Sequence, residues 1–120
     1  MPGRLCGTIV LGFLLAMPAG AFAHAFLKHA APPAGGEAAA SPPALTLAFT
    51  EAVEPRFSTI GIQDKAGGSI PTGAIQSKNG GTVLTVTLPK LPPGTYTVIW
   101  HVTSVDTHRT EGRYAFTVLP

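Results

Sequence analysis

Apolar and polar residues alternate in several short segments of the chain, and this alternation is typical of β-strands that bury one face. The segments that show it occupy residues 44–50, 59–64, 82–88, 95–104 and 111–118. A weaker segment at residues 70–76 is interrupted by Pro71, so we expect it at the edge of a sheet. The pattern therefore predicts a protein built mainly from short strands.

Turn residues separate the predicted strands. Asn79-Gly80 is a strong hairpin signal ahead of residues 82–88, and residues 89–94 separate the two clearest strands. Residues 30–43 are rich in Pro, Ala and Gly, and we expect them to form an extended crossover loop within the domain. About seven short strands with such turns predict an all-β fold, an antiparallel β-sandwich with Greek-key connections.

Trp100 lies in the middle of the longest predicted strand. Side chains two residues apart share a face of a strand, and the face of Trp100 also carries Tyr96, Val98 and Val102. We interpret these four residues as part of the core. His101 falls on the opposite face, where we expect a surface side chain.

Residues 1–23 have the three-part layout of a secretory signal peptide. A single Arg precedes an apolar run at residues 8–17, and an Ala-Phe-Ala cleavage box follows at residues 21–23. The run is shorter than the ~20 residues of a membrane-spanning helix. We expect cleavage after residue 23 and an exported domain at residues 24–120 without a membrane span; an uncleaved signal anchor is the alternative.

Composition limits the classes of function. Of the 120 residues, 45% are hydrophobic and 12% are charged, and the net charge is +2. Disorder is disfavoured by this balance, and the chain lacks the strong positive field of a nucleic-acid binder. Beyond residue 23 the sequence has neither Cys nor Met, so it offers no disulfide and no sulfur ligand there, whereas all four His remain.

His24 becomes the first residue if the signal peptide is removed as predicted. Its free α-amine and its imidazole Nδ1 can then bind one metal ion as a six-membered chelate. Asp106 and His108 lie two residues apart just beyond a strand, and they can converge on the same ion. Together these groups offer three nitrogen donors and one oxygen donor, which suit Cu(II). The alternatives are a His left at the cleavage point by chance and an ordinary polar loop around Asp106.

Beyond these candidates, an ordered set of motifs resembles the bacterial CopC copper-resistance family, from His24 to the end of the chain. Each motif alone is unspecific, but the ordered set is specific. The motifs are His24-Ala25-Phe26-Leu27, Ala31-Pro32 with the Pro-rich stretch, Leu47-x-Phe49-Thr50-Glu51, Gly94-Thr95-Tyr96-Thr97-Val98-x-Trp100, Val102-x-Ser104-x-Asp106-x-His108, Gly112 and Phe116-x-Val118.

This resemblance implies a cupredoxin-like or Ig-like β-barrel or sandwich. It also implies a periplasmic copper carrier that binds Cu(II) through an N-terminal His and an Asp-x-His pair, which match His24, Asp106 and His108. Glu51 sits where members of the family place a carboxylate near the site; a solvated carboxylate at a strand end is the alternative.

The resemblance further implies a role in copper resistance or homeostasis, with an inner-membrane copper transporter of the CopD type as the candidate partner. Some members hold Cu(I) in a Met-rich loop. Residues 64–72 contain no Met, so we expect that site to be missing here. Other members are fused to a membrane domain, and we expect a free carrier in this case.

Three classes of function follow from these residues. The leading one is a copper carrier that is not an enzyme. The second is a copper oxidase, because an N-terminal His plus another His is also the copper brace of lytic polysaccharide monooxygenases, although a carboxylate ligand favours resting Cu(II) over redox cycling. The third is an Ig-like interaction module without metal. A polysaccharide-oxidation assay and a metal titration distinguish them.

Overall fold

A computed structural model of the protein describes residues 24–120, and the predicted signal peptide at residues 1–23 lies outside the described residues. The described part is built from β-strands in two sheets, which confirms the predicted all-β sandwich. The strands are β1 (Leu27–Ala31), β2 (Glu37–Ala38), β3 (Ala44–Phe49), β4 (Thr59–Gln63), β5 (Ser69–Ile70), β6 (Gln76–Lys78), β7 (Val83–Thr87), β8 (Gly94–Thr103) and β9 (Arg109–Val118). Within this part of the chain no helix is long and apolar enough to cross a bilayer.

The two sheets have the strand orders β1-β3-β7-β6 and β2-β9-β8-β4-β5. Neighbouring strands are mostly not consecutive in the sequence, so the chain crosses between the sheets repeatedly, as Greek-key connections require. The pairings are antiparallel apart from the short pairing of β2 with β9. The longest pairing joins β8 to β9 over ten residue pairs, from Gly94–Val118 to Thr103–Arg109.

Most of the predicted strands are present within one or two residues of their expected bounds. These are β3, β4, β7, β8 and β9. Their side chains alternate between core and surface, which is the pattern that identified them. β9 begins at Arg109, two residues earlier than expected, because its first residues pair with the end of β8.

The prediction of one strand at residues 70–76 is wrong, but the expected position at a sheet edge is confirmed, because β5 and β6 are each an edge strand. Its first residue belongs to β5, which pairs with β4, and its last residue belongs to β6, which pairs with β7 in the other sheet. The residues between them therefore carry the chain from one sheet to the other. Pro71 has no N–H group to extend the ladder of β5, which explains the break after Ile70.

The prediction of an uninterrupted loop at residues 30–43 is also wrong in part. Two strands fall partly or wholly within it, because β1 ends at Ala31 and β2 occupies Glu37–Ala38. Both are edge strands, and β2 has only two residues. A short edge strand pairs on one side only and needs no regular alternation, so the sequence carried little signal for either.

The predicted hairpin at Asn79-Gly80 is confirmed between β6 and β7. Both residues have positive φ, 53° for Asn79 and 68° for Gly80. Asn and Gly adopt this left-handed conformation at lower cost than other residues, so this dipeptide favours a tight reversal.

The core lies between the two sheets and contains the predicted face of β8. Tyr96, Val98, Trp100 and Val102 are each 5% exposed or less. The Phe49 ring of the opposite sheet meets the Trp100 ring edge-on, with 5.3 Å between centroids. This geometry is favoured by aromatic quadrupoles, and it packs the middle of β8 against the opposite sheet.

Candidate metal centre

Asp106 and His108 lie in the tight loop of residues 104–108 that joins β8 to β9. The Ser104 N–H donates to the His108 carbonyl at 2.8 Å, and the Thr107 N–H donates to the Ser104 carbonyl at 2.8 Å. Between the two candidate ligands, Thr107 has a φ of 73°, which is unusual for a β-branched residue. The loop is therefore held in one compact conformation by its own backbone.

The Ser104 hydroxyl organises the side chains of this loop. Ser104 is 1% exposed. Its Oγ donates to Asp106 Oδ1 and accepts from the His108 N–H at 3.2 Å. Asp106 Oδ1 also lies 3.2 Å from His108 Nδ1, so the carboxylate and the imidazole are in direct contact.

These contacts lower the pKa of the Asp106 carboxyl below its usual value. The largest cause is the hydrogen bond from Ser104, and the close approach of the His108 imidazole adds to it. Both contacts favour the charged form, so the carboxylate is ionised at neutral pH. Asp106 therefore presents an anionic oxygen donor at this end of the sandwich.

The segment that carries His24 is anchored to both sheets by two threonine hydroxyls. Thr50, directly after β3, donates through Oγ1 to the His24 carbonyl at 3.3 Å and accepts from the Phe26 N–H at 3.0 Å. Thr110 of β9 donates to the Ala25 carbonyl at 2.6 Å, and Ala25 itself is buried. These bonds place the backbone of His24 at the same end of the sandwich as the loop of residues 104–108.

The His24 imidazole consequently stacks on the His108 imidazole. Their ring centroids are 4.7 Å apart, and the planes differ by 24°. The Phe26 ring lies on His24 as well, with 6.1 Å between centroids. The structure thus brings His24, His108 and Asp106 together, although His24 is 84 residues from His108 in the chain.

The other candidates from the sequence are placed differently. Glu51 is exposed and lies next to Thr50, and no hydrogen bond or ion pair joins its carboxylate to another group of the described part. His101 is exposed, as predicted, and its Nε2 lies 3.3 Å from Glu111 Oε1 on the outer face of the five-stranded sheet. Among residues 24–120, no hydrogen bond, ion pair or ring stacking joins Glu51 or His101 to His24, Asp106 or His108.

The donor atoms are of the types that bind a metal ion of intermediate softness, but their side chains are not arranged around a single point. Imidazole nitrogens and a carboxylate oxygen are ligands that suit Cu(II). In residues 24–120, no three His, Cys, Asp or Glu side chains have the geometry to hold one ion as they stand. Rotation of the stacked imidazoles, or a further donor, is therefore needed to complete a coordination sphere.

A groove of about 580 Å³ adjoins this cluster on the outer face of the five-stranded sheet. Phe26 forms one wall, next to His24, and Phe57 forms part of the lining. Phe26, Phe57 and Val105 are the large apolar side chains that stand exposed in residues 24–120. Phe26 lies two residues after His24 and Val105 lies directly before Asp106, so large apolar side chains are exposed beside the candidate ligands.

The sequence did not reveal the roles of three hydroxyls at the site, which belong to Ser104, Thr50 and Thr110. Ser104 entered only as one position of a longer motif, and Thr50 and Thr110 had no assigned role. A signal for Ser104 existed, because it lies two residues before Asp106 and four before His108. Nothing local indicated Thr110, whose partner Ala25 is 85 residues away.

Comparison with known proteins agrees with this architecture. A family model described as the CopC domain matches residues 27–119. Protein YobA of Escherichia coli strain K12 is 44% identical over 99 residues, which cover 81% of this chain and 80% of that protein. The crystal structure of CopC from Methylosinus trichosporium OB3b superposes with a TM-score of 0.77 at 39% identity, over 81% of this chain and 95% of that one. PcoC, described as a methionine-rich copper resistance protein from Escherichia coli, has a TM-score of 0.71 at 29% identity, over 80% of this chain and 99% of that one.

These matches span almost all of residues 24–120, and the family model, the sequence identity and the fold agree. The resemblance that the motifs indicated is confirmed. The chain belongs to the CopC domain family, whose members include copper resistance proteins.

Proposed function

We propose that this protein is an exported periplasmic carrier of Cu(II). Signal-peptide cleavage after residue 23 makes His24 the first residue. Its α-amine and imidazole, together with the Asp106 carboxylate and the His108 imidazole, bind the ion. Glu51, two residues beyond the end of β3, is a further carboxylate ligand in this proposal, and its exposed side chain has to move to reach the ion.

One observation carries this proposal, namely the contact of His24 with His108 beside Asp106. The two rings stack at 4.7 Å, and the carboxylate of Asp106 lies 3.2 Å from His108. Three side chains alone do not complete a metal site here. The amine at His24 supplies the missing donor, because it lies one chelate ring from Nδ1 of the same residue.

The donor set favours Cu(II) over Cu(I). Nitrogen and oxygen ligands suit Cu(II), whereas Cu(I) prefers thiolate and thioether sulfur. Residues 24–120 contain no Cys and no Met, unlike PcoC, which is described as methionine-rich. We therefore assign one Cu(II) site to this chain and no separate Cu(I) site.

Copper is the cargo of this protein in our proposal, and the protein is not an enzyme. The Asp106 carboxylate stabilises Cu(II) and so disfavours the redox cycling that an oxidase needs. An inner-membrane copper transporter of the CopD type is the proposed partner, and copper resistance or homeostasis is the proposed role.

The test compares two forms of the protein that differ at one end. One form begins at His24 after export of the full chain, and the other carries one extra Gly before His24. The extra residue converts the amine of His24 into an amide, which is a poor donor unless it is deprotonated. We expect the extended form to bind Cu(II) at least tenfold more weakly in a competition titration at one fixed pH.

Two controls make this comparison specific. His108→Ala should also weaken Cu(II) binding, because it removes a ligand, while the circular dichroism of the apoprotein stays that of a folded sandwich. His101→Ala should leave the affinity unchanged, since His101 contacts Glu111 and not the site. Equal affinity of the extended and the unextended forms would show that the amine is not a ligand.

A further inference from the structure

The buried Ser104 hydroxyl contacts both candidate ligands of the loop of residues 104–108. Ser104 and Ser58 are the two buried serines among residues 24–120. A buried hydroxyl needs partners, and those of Ser104 are Asp106 and the backbone of His108. One hydroxyl therefore contacts both candidate ligands of the loop.

The single hydrogen of the Ser104 hydroxyl has two possible acceptors. Ser104 Oγ lies near Asp106 Oδ1 and near the His108 carbonyl. That carbonyl already accepts the Ser104 N–H at 2.8 Å. A hydroxyl has one hydrogen to donate, and a bond to an ionised carboxylate is stronger than one to a carbonyl. The hydrogen therefore points to Asp106.

In this arrangement the two oxygens of the Asp106 carboxylate have different surroundings. Oδ1 is occupied by Ser104 and by contact with His108 Nδ1. Since both of these contacts are made to Oδ1, Oδ2 is the oxygen that is better placed to meet an ion. Nδ1 of His108 faces Asp106, which turns Nε2 of the same ring toward a different direction.

We infer that Ser104 is a positioning residue of the metal site: it holds the Asp106 carboxylate by Oδ1 and so orients Oδ2 as the metal ligand. The inference rests on the proposed function, because it gives a role in copper binding to a residue that does not touch the ion. Groups that orient metal ligands contribute 10- to 100-fold to metal affinity.

The first test is Ser104→Ala in protein exported from the full 120-residue chain. We expect Cu(II) affinity to fall 10- to 100-fold and the Cu(II) EPR hyperfine coupling to change, because the Asp106 oxygen is no longer held in place. Ser58→Ala is the matched control. Ser58 is also buried, and its Oγ donates to the Glu54 carbonyl at 2.7 Å and accepts from the Thr103 N–H at 3.2 Å. It should leave both the affinity and the spectrum unchanged.

A double-mutant cycle shows whether Ser104 acts through Asp106. In an Asp106→Ala background, Ser104→Ala should cause no further loss of affinity, because the group that it positions is gone. An additive loss would assign Ser104 to general support of the loop and would overturn the inference.

Asp106→Glu is the second variant, and it tests whether the position of the carboxylate matters even if Ser104→Ala does not fold. Asp106 is exposed, so the longer side chain is tolerated, but its carboxylate no longer sits on Ser104. We expect a loss of at least tenfold in affinity although a carboxylate is retained. Wild-type affinity in this variant would overturn the inference.

The outcomes for Ser104 and for the proposed function are distinguishable. If Asp106→Ala binds Cu(II) as tightly as wild type, the proposed ligand set itself is wrong. If Asp106→Ala weakens binding while Ser104→Ala retains wild-type affinity and spectrum, the ligand set stands and only the positioning role is overturned.

Discussion

Two tyrosine hydroxyls in the core have opposite surroundings. Tyr96 Oη donates to the Pro92 carbonyl at 2.6 Å. Tyr114 is 9% exposed, and no group among residues 24–120 hydrogen-bonds its hydroxyl. Burial raises the pKa of Tyr114 to about 12. The two residues therefore differ in what their hydroxyls contribute to stability.

Replacing each tyrosine by Phe should change stability in opposite directions. Tyr114→Phe removes an unpaired buried hydroxyl, and we expect the free energy of unfolding to rise by about 1 kcal/mol. Tyr96→Phe leaves the Pro92 carbonyl without its donor, and we expect a loss of about 1 kcal/mol. Urea unfolding at pH 7 measures both changes. A loss of stability in Tyr114→Phe as large as that in Tyr96→Phe would contradict this description of the core.

The raised pKa of Tyr114 also gives a dependence on pH. In the unfolded chain this group loses its proton near its usual value of 10.0, and in the folded protein near 12. Between these values the folded state binds more protons than the unfolded state, so the free energy of unfolding falls as the pH rises. Tyr114→Phe lacks this group, and its stability should fall less between pH 10 and 12 than that of the wild type.

At the scale of elements, the pairing of β8 with β9 supports the loop that carries the candidate ligands. Gly112 of β9 lies opposite Trp100 of β8. A Cβ atom at Gly112 would lie 2.5 Å from Trp100 Cζ2 and 2.8 Å from Cε2. The Trp100 ring is buried against the opposite sheet and cannot move away easily. The absence of a side chain at Gly112 is therefore required by packing.

Gly112→Ala should destabilise the domain by about 1–3 kcal/mol, which is the usual cost of overpacking a core. Gly61→Ala in the neighbouring strand β4 is the matched control, because the nearest atom to its new Cβ is the Ile99 carbonyl oxygen at 3.9 Å. That change should cost less than 0.5 kcal/mol, as is usual for surface substitutions. Thermal unfolding followed by tryptophan fluorescence compares them, and equal costs would contradict the close contact of Gly112 with Trp100.

At the scale of the whole molecule, the proposed site joins the two sheets. His24 precedes β1 of the four-stranded sheet, and Asp106 and His108 follow β8 of the five-stranded sheet. An ion bound by all three therefore links elements that separate when the domain unfolds. A ligand that binds the folded state alone stabilises it in proportion to the logarithm of its concentration.

Cu(II) should therefore raise the unfolding temperature of the exported protein. At a free Cu(II) concentration of one hundred times the dissociation constant, the expected gain is about 2.7 kcal/mol. For a domain of this size the gain corresponds to roughly 10–20 °C. Calorimetry with and without copper measures the shift, and EDTA should reverse it.

His108→Ala provides the control for this shift, since it removes one ligand from the five-stranded sheet. The variant should show a much smaller rise with copper at the same concentrations. A full shift in His108→Ala would mean that copper stabilises the protein from another place on its surface.

The sequence by itself determined the strands that cross the middle of the sandwich and the face that each one buries. Alternation along residues 95–104 is a local property, and it identified Tyr96, Val98, Trp100 and Val102 as core before any partner strand was known. Residues 79–80 likewise form a turn because of their own conformational preferences. His24, Asp106 and His108 could be singled out because their donor chemistry belongs to the residues themselves, and their role as ligands stays a prediction.

Only the tertiary structure decided how distant segments meet. The split of residues 70–76 between two sheets depends on which neighbours, β4 and β7, offer free edges. The contact of His24 with His108 depends on hydroxyls of Thr50 and Thr110 that hold the backbone of the N-terminal segment from two different sheets. Each of these contacts joins residues far apart in the chain, and no local pattern of hydrophobicity or turn residues contains that information.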